Sequence, residues 1–247
     1  YSVKFNKGTF TINPKEITVT ITPNGGTYEG NIISAAAVLN GLVGEDKPEI
    51  ILTYAGKAND GTEENGTKTP VLAGTYTVTA SITDSNYNLK AEGTTAEFVV
   101  TKATPGLSVA AVSDKSYGEG AFKLGVSNKG DGLKSYVSSN EKVVTVDEKG
   151  TITIVGAGTA TLTVSLAESA NYTADRKAVT VTVAPKEITV TADNQKKIAG
   201  EADPVLTYTA DGLVGEDTLS GITVKRKAGE KVGTYTVTVS QEAGSNP

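Results

Sequence analysis

The sequence predicts an all-β protein built from antiparallel sandwich domains. Threonine alternates with apolar residues in five runs, which are residues 16–20, 75–79, 159–164, 178–183 and 234–239. Such alternation places the apolar side chains on one face of a strand and threonine on the other. Glycine, asparagine, aspartate and proline cluster between the runs, and no apolar stripe of helical period exceeds two turns. Short strands with regular turns and no helices predict a sandwich.

Internal repeats show that the first and last parts of the chain are homologous. The heptapeptide P-K-E-I-T-V-T at positions 14–20 returns at 185–191. The hexapeptide G-L-V-G-E-D at positions 41–46 returns at 212–217, with the same displacement along the chain. Identities of this length in the same order indicate a repeated domain.

A third repeated motif reveals an insertion in the first copy. G-T-Y-T-V-T at positions 74–79 returns at 233–238, which is a smaller displacement than that of the other two motifs. The first copy therefore holds an additional segment between Asp46 and Gly74.

The motifs also resemble known families. Residues 138–147 and 150–164 resemble the characteristic run of the bacterial Ig-like group 2 family, with Val155 where that family usually has alanine. The flanking domains resemble the MBG ("mostly bacterial, Gly-rich") modules through their P-K-x-I-T-V-T, G-L-V-x-x-D and G-T-Y-x-V-T motifs. The resemblance implies three tandem immunoglobulin-like antiparallel sandwich domains and extracellular modules of large adhesin-like proteins. Neither family brings catalytic residues to this chain.

Proline-containing junctions define the expected domain boundaries. Pro105 and Pro185 lie in short junctions, where the missing N–H and fixed φ of proline limit strand pairing and stiffen the joint. We therefore expect the three domains to form an extended rod. The predicted domains are an MBG-like domain at 13–102, a bacterial Ig-like group 2 domain at 103–184, and an MBG-like domain without its last strand at 185–247.

Residues 1–12 have the pattern of a final strand. Tyr1 precedes Pro14 by the same interval that separates Tyr172 from Pro185, where the last strand of the middle domain is expected. Too few residues follow the last repeated motif of the third domain to supply such a strand there. We therefore expect residues 1–12 to be the final strand of a preceding or neighbouring domain, accepted by β-strand addition. The expected strand-donor side chains are Val3, Phe5, Phe10 and Ile12.

This pairing makes neighbouring copies or adjacent repeats the expected partners of residues 1–12 and of the C-terminal domain. In one interpretation the link is non-covalent and propagates head to tail as an open fibre. In the other, the chain is one period or a trimmed fragment of a longer repetitive polypeptide, and the strand belongs covalently to the domain before it.

The composition excludes several classes of chemistry. The chain of 247 residues contains no cysteine or histidine, which excludes disulfides, thiolate metal sites and histidine as a general base. A net charge of −5 disfavours nucleic acid as a partner, and no apolar run approaches the roughly 20 residues of a membrane helix. We therefore predict no enzyme, no cofactor, no catalytic or metal residues and no membrane insertion. A carboxylate pair assembled by folding stays open.

The insertion supplies a candidate ligand loop. Its side chains are rich in oxygen, and functional residues concentrate on loops. The spacing does not match an EF-hand, however, so a solvated hairpin tip is favoured over a cation site. The residues of this candidate loop are Asn59, Asp60, Glu63 and Glu64.

Two further features are interpreted as structural. Tyr76 and Tyr235 occupy equivalent positions in the repeated strand, which favours a role in the core or at a strand corner. The basic triplet of residues 225–227 is too short for a nucleic-acid footprint and is interpreted as a guard against edge-to-edge pairing.

Three functional classes are compatible with these features. The first is a structural stalk or fibre segment of a bacterial extracellular or cell-surface adhesin-like protein. The second is a ligand- or glycan-binding adhesin module that uses the insertion. The third is an accessory module of a large secreted enzyme. Repetition, stiff junctions and the lack of convergent polar chemistry favour the first class.

Overall fold

The computed structural model describes residues 1–30, 32 and 34–243, and no helix occurs among them. The predicted all-β, immunoglobulin-like fold is confirmed. The chain divides into two compact units. Their segments are Tyr1–Ala110, Gly125–Ser135 and Thr163–Ala178 for the first unit, and Ala111–Leu124, Tyr136–Leu162 and Val179–Pro247 for the second.

The strands of the described residues are numbered in chain order. They are β1 (Lys15–Thr22), β2 (Gly26–Thr27), β3 (Ala36–Asn40), β4 (Ile50–Ala58), β5 (Glu63–Gly66), β6 (Gly74–Ile82), β7 (Tyr87–Leu89), β8 (Thr95–Thr101), β9 (Ser108–Val109), β10 (Lys115–Ser116), β11 (Phe122–Lys123), β12 (Val126–Ser127), β13 (Lys134–Ser138), β14 (Val144–Val146), β15 (Thr151–Ile154), β16 (Gly158–Leu166), β17 (Asp175–Ala184), β18 (Thr189–Ala192), β19 (Tyr208–Asp211), β20 (Ile222–Arg226) and β21 (Val237–Gln241).

The first domain is a sandwich with an aromatic core. Its two sheets are a five-stranded sheet of order β2-β8-β6-β4-β5 and a three-stranded sheet of order β3-β1-β7. Phe98 lies between Tyr54 and Tyr76, with ring centroids 5.9 Å and 5.6 Å away. Large aromatic side chains supply much of the burial in small cores, so this trio stabilises the sandwich.

The pairing of β6 with β8 gives this core its register. The two strands run antiparallel, with Tyr76 opposite Phe98 and Gly74 opposite Val100. Along β6 the residues Gly74, Tyr76 and Val78 are buried while the threonines between them are more exposed, as the alternation predicts. The predicted core role of Tyr76 is therefore confirmed. Its hydroxyl donates a hydrogen bond to the backbone oxygen of Leu72 at 2.9 Å.

The middle part of the chain contains two main sheets. Their strand orders are β10-β17-β16-β13 and β11-β15-β14. The expected runs 159–164 and 178–183 lie within β16 and β17. The buried aliphatic side chains on these strands include Ile152, Leu162, Val164, Val181 and Val183.

In the region predicted as the third domain, the described residues form two separate antiparallel pairs, β18 with β19 and β20 with β21. Among the described residues from 185 to 243, no side chain is buried. Ile188 and Val190 are only half-buried, whereas their counterparts Ile17 and Val19 are buried in the first domain. The same motif therefore packs into a core in one copy and stays partly solvated in the other.

The predicted strand at residues 234–239 is shorter in the structure, because β21 begins only at Val237. Its counterpart β6 begins at Gly74, the equivalent of Gly233, and is paired with β4 on one side and β8 on the other. Within the described residues β21 pairs with β20 alone. Among the described residues, 233–236 thus lack the ladder that β8 forms with the start of β6, and a bond from the Lys227 N–H to the Thr236 oxygen at 2.8 Å connects them to the chain after β20.

Candidate functional site

The N-terminal segment, residues 1–12, is exposed along its whole length and forms no strand. Phe5 and Phe10 each expose 90% of their surface, and Ile12 exposes 84%. Large apolar side chains in such a row are costly to hydrate. The structure thus brings the four predicted strand-donor side chains, Val3, Phe5, Phe10 and Ile12, into one exposed segment, and their donor role stays a prediction.

The third domain presents a half-buried inner face on β20, on β21 and on the residue pair just before β21. Alternate residues of each strand contribute to it, as expected for one face of a sheet. The residues of this inner face are Ile222, Val224, Arg226, Tyr235, Val237 and Val239. Tyr235 donates its hydroxyl hydrogen to the backbone oxygen of Lys231 at 2.8 Å, which repeats the bond of Tyr76 to Leu72. This matches the structural role predicted for Tyr235.

An ion cluster of Lys197, Asp203, Arg226 and Glu230 lies against this inner face. The Nζ of Lys197 is 2.7 Å from carboxylate oxygens of both Asp203 and Glu230. Arg226 donates to Asp203 and Glu230 and also to the backbone oxygen of Gly229 at 2.8 Å. Its guanidinium lies 5.6 Å from the ring centroid of Tyr235. The charges are paired within the cluster, so each cation already has its carboxylate partners.

The ion cluster fixes the charge states of its members. Hydrogen bonds from Arg226 and Lys197 lower the pKa of Asp203 to about 2. The same two cations lower the pKa of Glu230, and the two carboxylates raise the pKa of Lys197. At neutral pH all four groups are therefore charged, which leaves no neutral amine or protonated carboxyl in the cluster for nucleophilic or acid chemistry.

A cavity of about 800 Å³ opens over the inner face. Its apolar lining includes Ala192, Pro204, Leu206, Tyr235 and Val237, and the ion cluster contributes the polar part. In the first domain the side chains of Phe98 and Val100 from β8 are buried against the corresponding residues Tyr76 and Val78. The cavity therefore occupies the position where the first domain has its core.

The insertion forms an edge hairpin. Glu63 and Glu64 lie in β5, which pairs with β4, and Glu63 lies 3.4 Å from the ammonium of Lys57. Asp60 accepts a hydrogen bond from the backbone N–H of Thr62 at 2.8 Å, which lowers the pKa of Asp60. Asn59 donates from its side chain to the backbone oxygen of Ala170 at 3.1 Å instead. The structure therefore separates the four candidate ligand-loop residues, and their ligand role stays a prediction.

A joint within the first compact unit connects the first domain to residues 168–173. The side-chain oxygen of Asn171 accepts a hydrogen bond from the buried N–H of Ala73 at 2.9 Å. The ammonium of Lys102 donates to the backbone oxygen of Ser169 at 2.7 Å and pairs with Glu168. These bonds, with that of Asn59, fix the residues on both sides of the proline junction.

Two tyrosine rings complete this joint. Tyr28 and Tyr172 meet edge to face, with centroids 5.3 Å apart. The Tyr172 hydroxyl donates to the carboxylate of Glu29, and this bond raises the pKa of Tyr172 to about 12. The joint is therefore held by packing and by charge-assisted hydrogen bonding together.

The repeated G-L-V-G-E-D turns bind tyrosine hydroxyls. Tyr87 donates to Asp46 in the first copy, and Tyr117 donates to Asp217 in the second, which raises the pKa of both tyrosines. In each turn the aspartate N–H donates to a valine oxygen, at 3.2 Å from Asp46 to Val43 and 3.0 Å from Asp217 to Val214. The motif thus supplies a fixed carboxylate for a neighbouring tyrosine.

Within residues 1–30, 32 and 34–243, no group of three histidine, cysteine, aspartate or glutamate side chains could hold a metal ion. No helix long and apolar enough to cross a membrane occurs in the same residues.

Family models match two parts of the chain. A model described as "MBG domain (YGX type)" matches residues 188–246, and one described as "Intimin, immunoglobulin-like domain" matches residues 117–168. The chain carries bacterial surface-protein Ig-like repeats. For the middle repeat, the motifs of the sequence resemble the bacterial Ig-like group 2 family, whereas the family model that matches is of the intimin type. These repeats fit a surface structural or adhesin-like module at an extracellular or cell-surface location.

Two solved structures show low similarity to this chain, which spans less than two thirds of the length of each. The Drosophila N-cadherin EC1-3 structure is 11% identical with a TM-score of 0.26, and the match covers 70% of this chain and 65% of the cadherin chain. Domains 1–6 of the surface layer protein SbsC are 16% identical with a TM-score of 0.29, and the match covers 93% of this chain and 37% of SbsC. No curated protein matches the sequence significantly.

The ion cluster is the feature that the sequence interpretation missed. Arg226 was expected to guard an edge strand, but it turns inward and pairs with Asp203 and Glu230. Lys225 and Lys227 are exposed, and the edge-guard role of the triplet stays a prediction, since inward-pointing charges also protect edge strands. The two-residue period of the strand could have revealed the inward position of Arg226, since this residue lies on the same face as Ile222 and Val224.

Proposed function

We propose that the Ig-like repeats of this chain form a structural stalk or fibre segment of a bacterial adhesin-like protein, joined head to tail by strand donation. In this proposal the N-terminal segment of one copy pairs with β21, and with the residues just before it, in the third domain of a neighbouring copy. The chain itself has no catalytic role, and its partners are further copies or adjacent repeats. The match to surface-protein modules supports the setting.

The observation that carries the proposal is the complementarity of two incomplete parts. The N-terminal segment exposes large apolar side chains and forms no strand, while the third domain buries none of its described side chains. Burying one phenylalanine or isoleucine stabilises a protein by about 1.5–3 kcal/mol. A strand added to β21 would also satisfy backbone groups along its open edge. Pairing of the two parts would therefore bury apolar surface of both and satisfy backbone hydrogen-bonding groups of both.

The joint in the first compact unit supports a mechanical role. Asn59, Lys102 and Asn171 each make a hydrogen bond across the proline junction. A stalk projects another module only if the connections between its own domains resist bending. The specific side-chain bonds at this junction meet that requirement, and they need no external ligand.

Sedimentation of the full chain over a concentration series tests the proposal. We expect oligomers that grow with concentration, because a head-to-tail contact does not close by itself. Deletion of residues 1–12 should leave a monomer, since these residues contribute no strand to the fold of their own chain. A synthetic peptide of residues 1–13 should then bind the shortened chain and raise its melting temperature.

Two outcomes would overturn the proposal. The first is a full chain that stays monomeric at every concentration. The second is a shortened chain that associates as strongly as the full chain, because the contact would then lie elsewhere on the surface.

A further inference from the structure

We propose a specific register for this contact: Phe10 of one copy enters the cavity of the third domain of a second copy opposite Tyr235, and Ile12 lies opposite Gly233. The inference rests on the strand donation proposed above and adds the side chains that recognise each other. It follows from the pairing of β6 with β8, from the repeated motif and from the position of Arg226.

The first domain shows how a completed domain pairs its last strand. Tyr76 lies opposite Phe98, Gly74 opposite Val100 and Thr77 opposite Glu97. Phe98 and Val100 are 7% and 1% exposed, so both point into the core. Any strand that completes the third domain has to offer large apolar residues at these same two positions.

The repeated G-T-Y-T-V-T motif transfers this register to the third domain. Gly74, Tyr76 and Thr77 correspond to Gly233, Tyr235 and Thr236. The two tyrosines share more than their position, because each hydroxyl binds the backbone oxygen four residues earlier. Each also lies against a glycine, at which an added Cβ would come within 2.8 Å of the ring.

The N-terminal segment contains the required pattern once. In β8 the inward aromatic Phe98 and the inward aliphatic Val100 are separated by the outward Val99. The same order, aromatic, outward and aliphatic, occurs after Thr9 in Phe10, Thr11 and Ile12. The same spacing before a proline junction occurs at Val181 and Val183, which are buried in β17. Aligning Phe10 with Phe98 places Thr9 opposite Thr236 and Thr11 opposite Thr234.

The cavity contains suitable partners for Phe10. In the first domain Tyr54 lies opposite Val78, whereas in the third domain Arg226 lies opposite the equivalent Val237. Arg226 thus takes the place of Tyr54, which contacts Phe98 edge to face. A phenylalanine ring opposite Tyr235 would meet an aromatic ring on one side and a guanidinium on the other, and both contacts are favourable.

The register also limits the contact to part of the segment. β8 begins at Thr95, opposite Thr79, and the equivalent of Thr95 in the N-terminal segment is Lys7. Val3 and Phe5 therefore precede the stretch that pairs with residues 233–238. Residues 7–12 carry the recognition, and Phe5 becomes a matched control for Phe10 because both are equally exposed.

Disulfide trapping tests this register, because the chain contains no cysteine of its own. Residues directly opposite in an antiparallel pair have Cα atoms about 4.5–5.5 Å apart, within the range that a disulfide spans. The double variant Thr9→Cys with Thr236→Cys should form covalent oligomers rapidly under mild oxidation. Thr9→Cys with Thr238→Cys, displaced by two positions, should react at least tenfold more slowly because its side chains are diagonal.

The outcomes separate this inference from the proposal on which it rests. Faster trapping by the Thr238 pair in a chain that still associates would overturn the register alone. A cross-linked monomer would overturn the assignment to a second copy. Absence of association in sedimentation would overturn strand donation itself. Phe10→Ala should weaken association at least about thirtyfold, whereas Phe5→Ala should have a much smaller effect because Phe5 precedes residues 7–12. Equal effects of the two variants would also overturn the register.

Discussion

Arg226 donates two hydrogen bonds to Asp203, from Nε to Oδ2 at 2.7 Å and from Nη2 to Oδ1 at 3.0 Å. This two-point contact is the strongest geometry available to an arginine and a carboxylate. It connects β20 to the loop before β19, so it ties together the two strand pairs of a domain whose described side chains are at most half-buried. The pair therefore supplies some of the cohesion that a core supplies in the first domain.

Replacement of Asp203 by asparagine should loosen the third domain. The variant keeps the shape of the side chain but removes the charge that pairs with both Arg226 and Lys197. We expect faster hydrogen exchange in β20 and β21, measured by mass spectrometry on the intact chain. Asp211→Asn on β19 is the matched control, and it should leave exchange unchanged. Equal exchange in the wild type and in Asp203→Asn would contradict the prediction.

The same pair should make the third domain sensitive to acid. Because the cations lower the pKa of Asp203 to about 2 from 3.8, the ion cluster stabilises the domain fully above pH 3.8. That contribution is lost as the pH falls through about 2. We expect a carboxyl-carbon NMR titration of Asp203 to show its midpoint near this value, and a midpoint at the ordinary pKa of aspartate would show that the pair does not form.

Tyr172 should be the last tyrosine of the joint to ionise. The Glu29 carboxylate accepts its hydroxyl hydrogen and raises the pKa of Tyr172 to about 12 from 10. The bond stabilises the joint fully below pH 10 and is lost as the pH rises through about 12. Ultraviolet titration of the intact chain should therefore lose a tyrosine step near pH 12 in Tyr172→Phe. An unchanged titration curve would show that another tyrosine is responsible for that step.

The side-chain oxygen of Asn171 should stabilise the joint by accepting a hydrogen bond. Asn171→Ala leaves the buried N–H of Ala73 without its partner, which costs about 1–3 kcal/mol. Asn171→Asp retains the acceptor oxygen and should keep most of the stability. Hydrogen exchange at Ala73 reports the bond directly, and similar exchange in the alanine and aspartate variants would exclude this role.

Deletion of residues 59–66 should preserve the fold of the first domain. β5 lies at the edge of the five-stranded sheet and pairs with β4 alone, and loop length changes folding free energy only slowly. We expect a cooperative melt with a loss of about 2 kcal/mol, from the lost ladder bonds. Asn59→Ala is the control, because it removes only the bond to Ala170. A non-cooperative melt of the deletion variant would show that the insertion is part of the core structure.

Local pattern predicted some of these features and not others. The alternation in β6 predicted the inward position of Tyr76, because side-chain parity within a strand depends on the strand alone. The short start of β21 was not predictable in this way. Residues 233–236 have the same sequence pattern as the start of β6, but that start pairs with β4 and with β8, whereas the pairing of β21 with β20 begins only at Val237. Pairing is a property of two segments, so one segment cannot reveal it.

The inner face of the third domain illustrates the same limit for side chains. Asp203 and Glu230 lie far apart in sequence, and nothing in either local pattern connects them to Lys197. Only the folded arrangement brings the two carboxylates to the same ammonium. The inward position of Arg226 could have been predicted from its place on the apolar face of β20. Its carboxylate partners could be identified only from the structure.

The exposure of the N-terminal segment also affects how fast proteases cleave the chain. A protease binds its substrate as an extended strand, so chain that is exposed and unpaired is cleaved far faster than chain held in a sheet. Lys4 and Lys7 lie in this segment, ahead of Phe10. If residues 1–12 pair as proposed, an enzyme that cuts after lysine would cleave this segment faster in unpaired copies than in paired ones. In a protease-rich habitat, digestion itself would then enrich assembled material over loose subunits.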